Sequence, residues 1–332
     1  MSKKLAALSW ITSSWVARLA VFGLLAFVAV SSARAAEGAG PLVSTEWLKA
    51  NLADANLVVL DIRSAIDGGG KAAYLEGHIP GAVHSDYDKS GWRVTRNGVS
   101  FMVPTTAELE KVIGELGIDE DTSVIVVPAG VHATDFGSAA RVYWTLKYVG
   151  HDKVAILDGG FAAWKADSGP VETGEHAPTP RIFTAAVNKN ILAEAGEVET
   201  NLSSGKATLI DARAATFFTG KEKSDKVAAY GHIPGALNVD NASLYDSVRN
   251  RLKPKAALAS SFAGLPAGNA IAYCNTGHWA ATDWFVLSEV LGQKEAKLYA
   301  GSVNEWSTDP RRPMESRRTK WDDVKKVLGL GS

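Results

Sequence analysis

The feature that most constrains this 332-residue chain is that one pattern occurs in it twice. Leu57-Val58-Val59-Leu60-Asp61-Ile62-Arg63 leads to Tyr74-Leu75-Glu76-Gly77-His78-Ile79-Pro80-Gly81-Ala82. Leu209-Ile210-Asp211-Ala212-Arg213 leads to Tyr230-Gly231-His232-Ile233-Pro234-Gly235-Ala236. The offsets, 211 − 61 = 150 and 232 − 78 = 154, differ by a small loop change. So long a period excludes a solenoid and indicates duplicated domains. Each copy then runs through the same order. In the first, 106–116 has helical spacing, 123–127 is a β-branched run, 138–149 is helical and 154–157 is a strand before Asp158-Gly159-Gly160. In the second, 256–263, 270–273, 278–291 and 296–299 repeat that order and end at Ala300-Gly301. Trp164 and Trp306 close the copies. Strands alternating with helices predict an α/β fold of two similar domains, each a parallel sheet with helices on both faces.

This reading divides the chain into a first domain at 42–168, a linker at 169–190 containing Pro170, Pro178 and Pro180, a second domain at 191–310 and a tail at 311–332. The tail is expected to be a short docked helix without chemistry of its own. In each Asp-x-Arg the two side chains are expected to pair with each other or with nearby backbone, and the Gly-His-Ile-Pro-Gly-Ala turn to fix a strand after a tight bend.

Residues 1–35 have the form of an export signal. Lys3, Lys4 and Arg18 form a basic leader, 19–30 is apolar, and Ala33-Arg34-Ala35 offers small residues for cleavage. The apolar core is short for a bilayer span, although extension back through Trp15 and Val16 gives an uncleaved anchor as the alternative. After cleavage no stable membrane insertion is expected, and the mature protein is expected to be periplasmic or secreted. Cleavage removes four basic residues and no acidic ones, so 31 Lys+Arg remain against 36 Asp+Glu, a formal charge of 31 − 36 = −5. That is no electrostatic footprint for nucleic acid.

Cys274 is the only cysteine, so no intramolecular disulfide can form and packing must supply stability. It follows the apolar run 270–273 and precedes Asn275-Thr276-Gly277, with a helix expected from His278. A strand end is where ligands collect in open α/β sheets, and a loop of successive N–H groups before a helix start favours an anion. A lone cysteine is otherwise commonly a small buried hydrophobe. Two competing chemistries fail on spacing. A cysteine phosphatase needs an arginine six positions on to grip phosphate, and position 280 is alanine. Cys274 and His278 have no clustered Cys or His to complete a zinc site, so no metal is expected.

Taken together, these residues resemble the rhodanese family of sulfurtransferases in its tandem form. The features that carry the resemblance are the two Asp-x-Arg and Gly-His-Ile-Pro-Gly-Ala motifs, Asp158-Gly159-Gly160 with Trp164, Tyr299-Ala300-Gly301-Ser302 with Glu305-Trp306, and Cys274 with Gly277 three residues on. The resemblance implies an enzyme of the thiosulfate or 3-mercaptopyruvate sulfurtransferase type, without a cofactor. Cys274 would take sulfur from a small donor as a persulfide and pass it to a thiol, cyanide or protein-thiol acceptor. The amides of Asn275, Thr276, Gly277, His278 and Trp279 would cradle that anion. Aligning 125–127 with 271–273 places Pro128 opposite Cys274, so the first domain lacks the nucleophile and is expected to wall the cleft, with His78 a candidate wall residue.

The loop departs from both familiar family patterns, Cys-Arg-Lys-Gly-Val-Thr and Cys-Gly-Ser-Gly-Val-Thr. Basic donor-binding residues are missing, Phe217-Phe218 stands where Arg-Phe is expected, and Lys221, Lys223 or Lys226 are the nearest substitutes. His278 is read as a proton donor or a cation beside the thiol, against a solvent-facing first-turn residue. Trp279 is expected to narrow the site or pack at the domain interface. A non-turnover persulfide carrier or redox-sensing binding protein is the alternative from another class.

Overall fold

A computed structural model describes residues 40–266 and 268–319. The candidate signal at 1–35 and the end of the tail at 320–332 lie outside the described residues. The first sheet comprises β1 (Leu42–Val43), β2 (Leu57–Asp61), β3 (Val83–His84), β4 (Ser123–Val127) and β5 (Val154–Leu157), in the order β1-β5-β4-β2-β3 and all parallel. The second comprises β6 (Leu192–Ala193), β7 (Ala207–Asp211), β8 (Leu237–Asn238), β9 (Asn269–Tyr273) and β10 (Lys297–Tyr299), in the order β6-β10-β9-β7-β8, also parallel. Strand for strand the topologies coincide. Every residue of β4 is buried, as a β-branched run covered on both faces should be.

Among the described residues five helices serve each domain. The first has α1 (Thr45–Asn51), α2 (Gly70–Glu76), α3 (Thr106–Glu115), α4 (Ala133–Tyr148) and α5 (Gly160–Ala166), and the second has α6 (Ala195–Ser204), α7 (Ala215–Phe218), α8 (Lys255–Ser261), α9 (Trp279–Phe285) and α10 (Ser302–Trp306). Two differ from the sequence reading. Helix α4 starts five residues before 138, because His132 caps it by accepting the Asp135 amide. Helix α9 ends at Phe285 and passes into a π-helical turn, Val286–Val290.

The Asp-x-Arg motifs form buried ion pairs, Asp61–Arg63 and Asp211–Arg213, each at 2.6 Å. Each arginine also donates to the first glycine of its Gly-His-Ile-Pro-Gly-Ala turn, to the carbonyls of Gly77 (2.8 Å) and Gly231 (2.7 Å). Both expected modes of pairing therefore occur together.

The linker is ordered and sewn to the first domain. Glu172 and His78 exchange both backbone hydrogen bonds, Trp164 Nε1 donates to Pro170 O, and the amides of Arg181 and Asn188 donate to Gly114 O and Tyr148 O. After the second domain the same stitches recur: Glu315 exchanges both bonds with His232, and Trp306 Nε1 donates to Pro313 O. The described part of the tail, 311–319, is thus an extended strap, and the rest of the segment expected to form a helix lies outside the described residues.

The domains meet along α4 and α9. Phe136 and Tyr143 of α4 set their rings edge-on to Phe285 of α9 at 5.7 and 5.0 Å, and one apolar cluster runs through both domains. Among the described residues no helix is long and apolar enough to cross a membrane.

Candidate active site at the domain seam

Cys274 follows β9 and is 1% exposed. Its position is fixed by α10: the Cys274 amide donates to Ser302 Oγ at 3.0 Å, and the amides of Val303 and Asn304 donate to the carbonyls of Cys274 and Asn275. The N–H groups of Asn275, Thr276, Gly277 and His278 bond no acceptor among the described residues. Four successive free amides next to a thiol make a cradle for an anion. Asn275 is turned by Arg213, whose Nη1 reaches its Oδ1 at 3.3 Å, so the second Asp-x-Arg touches the loop as well as framing it. The half-buried Thr276 makes no side-chain hydrogen bond to any described residue. Gly277 is obligatory: its φ is +69°, and a Cβ there would lie 2.3 Å from Ala300 O and 2.4 Å from Arg141 Nη1.

The first domain supplies the facing wall. His278 is buried and bonds across the seam with both nitrogens. Its Nε2–H donates to Thr134 O at 2.7 Å, so Nδ1 accepts from Tyr87 Oη–H at 2.9 Å. Room for the ring comes from Gly137, whose Cβ would approach His278 Nε2 to 3.0 Å. Burial, with Arg93 acting the same way, pushes the imidazole pKa down to about 3. His278 is therefore a neutral bridge, which corrects both its reading as a cation or proton donor and its reading as solvent-facing. Trp279 packs at the interface: Nε1 donates to Thr134 Oγ1 at 3.2 Å, and the ring meets Phe217 at 6.2 Å.

His78 does not reach this seam. It is wholly buried inside the first domain, donates Nδ1–H to Tyr74 O at 2.8 Å, and stacks on Tyr74 with ring centroids 4.0 Å apart. Its counterpart His232 does the same with Phe218, so the repeated histidine belongs to the turn and the strap and not to a cleft wall. Nor do the lysines substitute for missing bases, since Lys223 Nζ donates to Val227 O, Lys226 pairs with Asp225 and Lys221 is exposed.

Besides Arg213, which is paired with Asp211, the loop meets an arginine of the first domain. Arg141, on α4, is wholly buried and donates Nη1–H to Gly277 O at 2.9 Å. Arg93 stacks on Tyr87 at 4.2 Å and pairs with Asp88 at 2.6 Å. Sequence reasoning passed over both. The signal for Arg141 was a single charge inside the apolar run Ala139-Ala140-Arg141-Val142-Tyr143-Trp144.

The loop opposite Cys274 in the first domain shows what an amide nest of this kind takes. Pro128 to His132 matches Cys274 to His278 in length and anchoring, with Phe161 and Ala162 amides donating to the carbonyls of Pro128 and Ala129. Its left-handed glycine, Gly130, comes one position earlier than Gly277. The amides of Ala129, Gly130 and Val131 all donate to the carboxylate of Asp135, at 3.0, 2.5 and 3.1 Å. The nest without a cysteine is filled by the chain's own anion. In the second domain the position matching Asp135 is Ala281, and no carboxylate of the described residues reaches the loop amides.

No group of three or more His, Cys, Asp or Glu among the described residues could hold a metal ion. Residues 44–167 and 194–309 match the sequence profile of the rhodanese-like domain. The chain is 36% identical over 285 residues to a probable 3-mercaptopyruvate sulfurtransferase of Pseudomonas aeruginosa, covering 82% of this chain and 97% of that one. It is 31% identical over 288 residues to the thiosulfate sulfurtransferase of Rattus norvegicus, covering 83% and 94%. Among solved structures it superposes on the 3-mercaptopyruvate sulfurtransferase SseA of Escherichia coli with a TM-score of 0.68 and 29% identity, over 80% of this chain and 99% of that one.

Proposed function

This chain belongs to the rhodanese family and is a sulfurtransferase of tandem rhodanese-like domains, and from that premise we propose that Cys274 carries the transferred sulfur as a persulfide. The observation that carries the reading is the contrast between the two loops. One amide nest binds the Asp135 carboxylate, and its counterpart points its amides at no side chain of the described residues and adjoins the only thiol.

The Cys274 thiolate attacks the terminal sulfur of a small donor and forms a new S–S bond. With thiosulfate the donor's own S–S bond breaks and its electron pair leaves on sulfite. With a 3-mercaptopyruvate-like donor the C–S bond breaks, the pair leaves on the enolate of pyruvate, and the thiol proton ends on that carbon. The free amides of Asn275 to His278 stabilise the charge on the outer sulfur. Cyanide, a small thiol or a protein thiol then attacks the outer sulfur, and the electron pair of the breaking S–S bond returns to Cys274. The neutral His278 holds the loop against the first domain and moves no proton.

We further propose that residues 1–35 direct export and that the enzyme works in the periplasm or outside the cell. The test is steady-state turnover of thiosulfate and 3-mercaptopyruvate with cyanide or dithiothreitol as acceptor, beside Cys274→Ser. Turnover that vanishes in the variant, and an intact wild-type mass heavier by one sulfur atom after donor treatment, support the relay. Stoichiometric loading without turnover leaves only a carrier, and turnover by Cys274→Ser refutes the nucleophile. The mass of protein recovered from its native host reads cleavage after Ala35.

A further inference from the structure

Arg141 carries more charge than its surroundings answer. Only Nη1 of its guanidinium is bonded, to Gly277 O, while Nε and Nη2 are buried with no hydrogen-bond partner among the described residues. A buried cation in that state is costly unless an anion completes it. The nearby charges make the deficit sharper. Arg93 faces Arg141 and repels it, and Arg93 pairs with Asp88 and has its own Nε unbonded among the described residues. Two guanidinium groups and one partly exposed carboxylate leave a net charge of +1 on this side of the seam. Burial and Arg93 hold the Arg141 pKa down at about 10, and the groups that act the other way are Tyr87 and Cys274. Burial raises the phenol of Tyr87, and its hydroxyl is committed to His278, so Tyr87 stays neutral.

We infer that the missing partner is the sulfur anion on Cys274, and that Arg141, reaching over from the first domain, is its counter-cation in the thiolate and in the persulfide. This rests on the sulfur-relay reading above and adds to it the residue that replaces the absent loop bases. The first domain thereby gains a chemical role, since the half that lacks the nucleophile donates the charge that stabilises it. The assignment favours donors that are themselves anions, because the same +1 field draws them into the seam.

The test needs no turnover. Alkylation rates of Cys274 by iodoacetate, an anion, and by iodoacetamide, which is neutral, are compared in wild type, Arg141→Lys, Arg141→Met and Arg141→Gln. A cation beside the sulfur raises the iodoacetate-to-iodoacetamide ratio, and loss of one unit charge at short range in a poorly screened site should lower it about tenfold. The ratio is expected to fall in Arg141→Met and Arg141→Gln and to persist in Arg141→Lys. The glutamine variant keeps a donor for Gly277 O, so it reads the charge if the methionine variant does not fold. An unchanged ratio in the folded neutral variants overturns the inference. Failure of wild type to take up a sulfur atom from either donor would instead overturn the relay, whatever the ratio.

Discussion

His278→Gln separates a structural bridge from a proton carrier. In the wild type the imidazole is held neutral with a pKa of about 3, while the unfolded chain restores the ordinary value of 6.5. The folded state therefore binds a proton less readily than the unfolded state. Its contribution to stability is present above pH 6.5 and is lost as the pH falls below it, at about 1.4 kcal/mol per pH unit. Between pH 6.5 and pH 5 the loss comes to about 2 kcal/mol. Glutamine does not titrate, yet it offers an acceptor to Tyr87 and a donor to Thr134, the two partners His278 now has. Urea unfolding at pH 7.5, 6 and 5 should show the wild type losing about 2 kcal/mol of its advantage over His278→Gln across that span. Turnover of the variant should stay within about tenfold, because a lost general acid would cost about 10²–10⁴-fold. A stability difference that does not change with pH would show that the imidazole is not buried neutral. A folded variant without turnover, whose pH–rate profile has lost a limb, would make His278 a proton carrier and refute the bridge.

Two further substitutions probe the loops. Gly277→Ala puts a Cβ into left-handed backbone and against Ala300 O at 2.3 Å; it should cost at least about 2 kcal/mol in urea melts and remove turnover, and wild-type kinetics in this variant would show that the loop is looser than described. Asp135→Ala orphans the amides of Ala129, Gly130 and Val131, of which the Gly130 bond is the buried one; at about 1–3 kcal/mol for a buried donor left unmet, the thermal midpoint should drop, and an unchanged midpoint in calorimetry would mean that the nest does not need its anion.

The repeat, the strands at 123–127 and 154–157, and the Asp-x-Arg pairs were legible because each rests on local pattern: β-branched runs and charges two residues apart. The place of Cys274 at the end of a strand was legible from the apolar run before it. The seam was not. Tyr87, Thr134 and Arg141 meet the Cys274 loop across 191, 144 and 136 residues of chain, and nothing in local periodicity encodes so distant a contact. His278 was misread for the same reason. As the first residue before a helix it has the look of an exposed position, and only packing of α4 against α9 buries it. His78 erred in the other direction, because its twin His232 makes the same stack in the other domain, and a residue present in both halves for folding carries no information about a site present in one.

The straps change what was duplicated. Glu172 and Glu315 lie 315 − 172 = 143 residues apart, as do Pro170 and Pro313, and each pair makes the same bonds to its own domain. The unit that was copied is therefore a domain together with the segment that follows and laces it, and the natural joint of this chain falls near Asn188, at the end of the first strap. A protein built that way has no slack tether on which its halves could swing apart. Opening the seam to admit a donor must come from small shifts of α4 against α9 or of the hairpin at 94–102, whose Ser100 carbonyl already holds Asn304, and a break engineered at the joint should yield two halves that each bring their own lacing.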